Sequence, residues 1–150
     1  MEPIREPKLA IKIAKQLSVD WDKEHAIGIY LNSENRLRGA EIISIGTLND
    51  NLLHPREVFR PAVKYAAAGF VLLHNHPSGN TMPSKEDKLI TQRIKMASEI
   101  MDIKLLDHVI FCKGLRYYSF ASCKDWGLTK ISKCDIIRER KDGRIIWKTK

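Results

Sequence analysis

The chain has 150 residues, 43% of them hydrophobic, and a formal net charge of +8; that length fits one domain and that apolar fraction suffices for a sizeable core. It has no run of eighteen apolar residues, and Glu2, Arg5 and Glu6 interrupt its start, so neither a membrane span nor a secretory leader is expected and a cytoplasmic address follows. Cys112, Cys123 and Cys134 stand eleven apart without a C-x-x-C pair, a pattern that fits neither a cysteine zinc cage nor a disulfide framework and reads as reduced thiols.

In chain order, Pro7 to Leu17 places Leu9, Ala10, Ile13, Ala14 and Leu17 at helical spacing with Lys8, Lys12 and Lys15 outward, which predicts an amphipathic helix lying on a sheet. Residues 25–31 and 40–45 are apolar strands joined through Asn32-Ser33-Glu34-Asn35 as a hairpin. Pro55 to Ala68 is expected to be helical, with Pro61 as an irregularity. Phe70-Val71-Leu72-Leu73 reads as a buried strand, and Lys85 to Met101 as a long helix whose buried stripe is Ile90, Ile94, Ala97 and Met101. Strands at 105–111 and 117–121 complete the sheet. Strands alternating with helices argue for an α/β class.

The chemistry concentrates after the Phe70 strand, where His74-Asn75-His76-Pro77-Ser78-Gly79 is followed by Ser84 and Asp87 within fourteen residues of His74. In a strand, residues i and i+2 share a face, so His74 and His76 aim their rings together. Pro77-Ser78-Gly79-Asn80 is turn chemistry, and Ser84 with Asp87 three positions on is a helix-capping pattern that folds the carboxylate back over the rings. Two neutral imidazoles and a carboxylate suit zinc with its fourth position left for water, whose pKa falls from about 15.7 toward about 7 on binding. Taken singly, a histidine at a strand end is usually an ordinary satisfied ring and Ser-x-x-Asp usually only a cap. Their combination is what points to a metal.

His74-x-His76-Pro77-x-Gly79 followed by Ser84-x-x-Asp87 resembles the JAMM motif of JAB/MPN metalloproteins. Gly46-Thr47-Leu48, His54-Pro55-Arg56-Glu57-Val58-Phe59 and Asp107-His108 make the wording most similar to the RadC branch, over about Trp21 to Tyr118. Longer members of that branch carry a helix-hairpin-helix segment ahead of this domain, whereas about twenty residues precede it here. The resemblance implies a mixed β-sheet flanked by helices, of the JAB/MPN (cytidine deaminase-like) fold, with zinc held by His74, His76 and Asp87 at one edge. It also implies an upstream glutamate as acid/base for the zinc water, at a position matched by Glu24, with Glu57 as the rival. Each glutamate has a plainer reading: Glu24 as a solvated residue before a strand, Glu57 as a first-turn carboxylate favoured by the dipole of a helix opened by Pro55. Ser84 matches the serine that points its hydroxyl at a developing oxyanion, against its capping role. Asp107 and His108 fall on opposite faces of a strand. One of them would orient a zinc ligand, or else Asp107 caps a turn and His108 is a partly buried ring. The H-x-E and P-C-x-x-C of the related zinc deaminases are absent from the sequence.

The resemblance therefore implies a metallohydrolase domain over 1–129, acting on a peptide or isopeptide amide in a peptide or protein substrate. Residues 130–150 form a basic extension of a different kind. Eight Lys or Arg against three acids give it +5 of the total charge, and Asp142-Gly143 between Ile136-Ile137 and Ile145-Ile146-Trp147 predicts a two-stranded ribbon. Arg138, Arg140, Lys141 and Arg144 are candidates for phosphate contact, and Trp147 for stacking on a nucleic-acid base. A charged edge hairpin that merely resists aggregation is the plainer alternative. A RadC-like nucleic-acid-binding protein or metal-dependent nuclease, linked to DNA repair, is accordingly the second functional expectation, and a JAB-like module that only binds a partner the third.

Overall fold

The computed structural model of the protein describes residues 2–17, 20–46, 53–114 and 116–122, together with the backbone pairing of 137–139 and 145–147. Helix α1 (Pro7–Ala14) precedes β1 (His25–Leu31) and β2 (Leu37–Ile45); α2 (Pro55–Lys64), β3 (Gly69–Asn75), α3 (Lys85–Met101), β4 (Lys104–Phe111) and β5 (Tyr117–Ser119) follow. The five strands form one mixed sheet in the order β2-β1-β3-β4-β5. Neighbours are antiparallel except β3 and β4, which run parallel because α3 carries the chain back to the start of the sheet. Helices and sheet thus make the α/β architecture expected from the element order.

The β1–β2 hairpin is closed by Asn32, whose Oδ1 accepts from the N–H groups of Glu34 and Arg36 at 2.9 Å each, while Asn35 takes the left-handed conformation at φ 60°. Strands β1 and β3 are buried along their whole length, being central. Their alternation feeds two cores. Tyr30, Phe70 and Leu72 pack with Phe59 of α2 and Ile90 and Ile94 of α3. Ile27, Ile29, Leu73, Val109 and Phe111 pack on the other face with Ala10 and Ile11 of α1. Each fully buried Ile, Leu or Phe contributes about 1.5–3 kcal/mol, so this layering fixes which way every central side chain points.

Several boundaries differ from those read off the sequence. Helix α1 ends at Ala14, not Leu17, and its buried side includes Ile11. Strand β2 starts at Leu37 rather than 40, since pairing of Leu37 with Leu31 and Gly39 with Tyr30 extends the hairpin through a segment with no apolar run. Helix α2 tolerates Pro61 in its interior but stops at Lys64 instead of Ala68. There Ala66 turns the chain at φ 48°, and the N–H of Ala68 already bonds the carbonyl of Leu31. Helix α3 has the expected ends, but its buried stripe is Asp87, Ile90, Thr91, Ile94 and Ser98; Ala97 packs at the margin and Met101 is exposed. Strand β5 is shorter than expected, ending at Ser119.

In the C-terminal extension β6 (Ile137–Glu139) and β7 (Ile145–Trp147) pair antiparallel, with Ile137 opposite Trp147 and Arg138 opposite Ile146. The expected turn at Asp142-Gly143, and Arg140, Lys141 and Arg144, lie outside the described residues, as do Cys123 and Cys134. Cys112 is a free, buried thiol. Among the described residues no helix is long and apolar enough to cross a membrane.

Candidate metal centre

The site forms where β3 ends beside the N-terminus of α3. His74 is the sixth residue of β3 and lies on the same face as Leu72, the face covered by α3. Asn75 points the other way. His76 lies just past the strand, held by its N–H to the carbonyl of Phe111 at 2.8 Å, and the two imidazoles meet edge to face with centroids 4.6 Å apart. The turn that follows uses Gly79 at φ 83°, which L side chains rarely adopt, and returns the carbonyl of Asn80 to within 2.6 Å of His76 Nδ1. A carbonyl can only accept, so Nδ1 carries a proton and Nε2 of His76 is the nitrogen that a metal would take. That nitrogen faces Asp87 Oδ2 at 3.4 Å.

Asp87 is delivered by the first turn of α3. Ser84 Oγ accepts from the N–H of Asp87 at 3.1 Å and Asp87 Oδ2 accepts from the N–H of Ser84 at 2.8 Å, a reciprocal capping box. The other carboxylate oxygen, Oδ1, stands 3.2 Å from His74 Nδ1. Burial alone would raise the Asp87 pKa, but the His74 and His76 rings and the Ser84 N–H hold it well below the usual carboxylate range. Asp87 in turn raises the pKa of His76. The pocket is therefore strongly anionic toward the two rings and receptive to a cation.

Glu24 closes the opposite side. It sits immediately before β1, its carbonyl accepting from the N–H of Gly46 at 2.8 Å, and its Oε2 lies 3.4 Å from His74 Nε2. Gly46 has φ 113°, a value that suits glycine and accounts for that residue in Gly46-Thr47-Leu48. Glu24, His74 and His76 each offer a ligand atom within 4.8 Å of the others. Glu57 is placed elsewhere in role: it is in the first turn of α2, where Oε2 pairs with Arg60 at 3.0 Å and Oε1 with Arg56 at 3.6 Å.

His108 and Asp107 diverge as strand alternation requires. His108 is fully buried rather than partly so, stacked at 4.9 Å on Phe120, with Nδ1 2.5 Å from Thr91 Oγ1. The Thr91 hydroxyl donates its only proton to the carbonyl of Asp87 at 2.6 Å, so His108 Nδ1 must be the donor to Thr91. This chain from β4 through α3 holds the backbone of Asp87. It leaves His108 Nε2 buried and, among the described residues, without a partner, and burial pushes the pKa of the ring down to about 3. Asp107 serves the far face, accepting from Ser119 Oγ at 2.6 Å and from the N–H of Ala121 at 2.9 Å, and burial raises its pKa.

Tetrahedral zinc with bonds of about 2.0–2.2 Å holds its ligand atoms roughly 3.3–3.6 Å apart. Glu24 Oε2 and His74 Nε2 meet that spacing at 3.4 Å and belong, with His76, to the group that could hold an ion; Asp87 faces the other ring nitrogen of His74, Nδ1, at 3.2 Å, and adds its second carboxylate oxygen 3.4 Å from His76 Nε2. The model of the RadC-like JAB domain family matches residues 4–126. The chain belongs to the RadC-like JAB domain family. Helix α1 is thus part of the domain, although the motifs that reveal the family begin after it. Curated relatives include UPF0758 proteins of Desulforamulus reducens, 45% identical over 109 residues, of Rubrobacter xylanophilus, 49% over 98, and of Geobacter sulfurreducens, 46% over 103. These alignments cover 73%, 65% and 69% of this chain but only 46%, 42% and 44% of the respective relatives. The chain spans less than half the length of those proteins. Membership of a JAB family and a His/His/Glu group of this geometry support a metal-binding, JAMM-like domain.

Proposed function

We propose that the protein is a zinc-dependent hydrolase of amide bonds, peptide or isopeptide, with His74, His76 and Asp87 as metal ligands and Glu24 as acid/base. The observation that carries this is the convergence of Glu24, His74 and His76, whose ligand atoms lie within 4.8 Å of one another, beside the carboxylate of Asp87, 3.2 Å from His74 Nδ1. Asp87 also reaches His76 and is buried, whereas Glu24 keeps a quarter of its side-chain surface exposed and can exchange protons with water and substrate. Buried and engaged by both rings, Asp87 suits a fixed ligand; reachable by water, Glu24 suits a proton carrier. Zinc bound there would supply an acidified water.

Glu24 Oε2 takes a proton from the attacking water and returns it to the leaving amine nitrogen, so its carboxylate is regenerated. Ser84 accepts the Asp87 N–H through a lone pair, which leaves the hydroxyl proton to donate to the oxygen of the polarised carbonyl. The cap and the oxyanion role are thus compatible in one hydroxyl. His108 and Thr91 hold Asp87 from behind. The test is hydrolysis of peptide and ubiquitin-like substrates by the zinc-loaded protein with His76→Ala as control; turnover by wild type alone supports the proposal, and equal turnover by both rejects it.

A second reading, nucleic-acid binding by the extension, is favoured by the pairing of β6 with β7 in a segment carrying +5. It makes Arg138, Arg140, Lys141, Arg144 and Trp147 the contacting set, and DNA or RNA a partner or the substrate.

A further inference from the structure

We infer that Asn75, the residue between the two histidines, is the positioning residue for Glu24; this rests on the acid/base reading above. Backbone pairing of β1 with β3 stops at Ala26 opposite His74, two residues short of Glu24. Beyond that point the Asn75 side chain takes over the ladder. Its Oδ1 accepts from the N–H of His25 at 2.7 Å, and its Nδ2 donates to the carbonyl of Lys23 at 2.9 Å. In extended backbone the C=O of residue i−1 and the N–H of residue i+1 point to the same side, so this one carboxamide brackets Glu24 as a neighbouring strand would.

On the other side the Glu24 carbonyl is held by Gly46. The backbone of Glu24 is thereby fixed from both flanks, and its side chain is carried to His74. Asn75 is 3% exposed, so water does not compete for these bonds. Only asparagine has the donor, the acceptor and this reach together: aspartate lacks the donor, alanine lacks both, and glutamine is one methylene too long. The identity of the residue between the histidines is set by the acid/base, not by the metal.

The test uses the full chain loaded with zinc, and in parallel with cobalt(II), whose visible absorption reads its surroundings without requiring turnover. Asn75→Ala and Asn75→Asp should hold zinc within about threefold of wild type while kcat falls at least about tenfold at little-changed KM, the signature of displaced chemistry rather than lost binding. Adding Glu24→Gln to either should cost nothing further, since both act through one group. The cobalt spectrum of Asn75→Ala should match that of Glu24→Gln. Wild-type kcat and a wild-type spectrum in folded Asn75→Ala, or in Asn75→Asp should the alanine variant not fold, overturn the inference alone. A wild-type spectrum and turnover in Glu24→Gln strikes the acid/base reading itself and removes this inference with it.

Discussion

His108 offers a prediction whose size follows from its surroundings. The ring is fully buried, its pKa is about 3 in the folded protein against an ordinary value of 6.5, and its Nδ1 is committed to Thr91. A group whose folded pKa lies below its unfolded pKa is protonated more readily by the unfolded chain, so acid favours unfolding. The cost is absent above about pH 6.5 and grows as pH falls toward 3. At pH 4.5, two units below the unfolded value, it amounts to roughly 2.7 kcal/mol at about 1.36 kcal/mol per unit. His108→Asn retains an amide donor where Nδ1 sits but cannot titrate. Urea unfolding of wild type and variant, both held metal-free with chelator, at pH 7.5 and pH 4.5 isolates the effect, because contributions from Asp87 and His76 are common to both proteins. Wild type should lose about 2–3 kcal/mol more than the variant over that interval. Parallel losses would show that the ring accepts a proton in the folded state and that its burial or its hydrogen bond has been misread.

Three further outcomes follow from the same geometry. Glu24→Gln should retain zinc and lose about a hundredfold or more in turnover, while Glu57→Gln, whose carboxylate pairs with Arg60 and Arg56 among the described residues, should be near wild type; metal analysis and initial rates on one peptide substrate decide between them. Ser84→Ala should cost about 1 kcal/mol in urea unfolding for the lost cap, and a drop in kcat beyond any loss of folded protein would mark the hydroxyl proton as used in the reaction. Truncation after Thr129 should leave zinc content unchanged; if the extension holds phosphates, truncation should also remove most of a log–log salt dependence of DNA binding of roughly −0.7 to −0.9 per phosphate, and equal binding by both chains would reduce the ribbon to a solubility device.

What the sequence revealed, and what it hid, divides along a physical line. The centre of the sheet was legible because β1 and β3 are apolar runs, and α3 because Ser84 and Asp87 mark its start locally. The start of β2 was not, since Leu37 to Gly39 join the sheet only through partners in β1. Periodicity puts Met101 in the core, yet polar Asp87, Thr91 and Ser98 occupy the buried line of α3 and Met101 falls outside it. In the site, His74, His76 and Asp87 are close in sequence and so could be read together. Asn75 bonds His25 and Lys23, the neighbours of Glu24 about fifty residues away, and reaches them only through strand pairing. Thr91 carried a faint signal, lying one helical turn beyond Asp87, but its link to His108 needs β4 to be in place.

The central claim is a metal held by His74, His76 and Asp87, and elemental analysis tests it most directly. Protein purified without chelator, supplied with zinc and dialysed at neutral pH should retain about one zinc per chain, and His76→Ala and Asp87→Ala should retain almost none while staying folded. Wild-type protein holding no zinc, or both variants holding as much as wild type, would contradict the account.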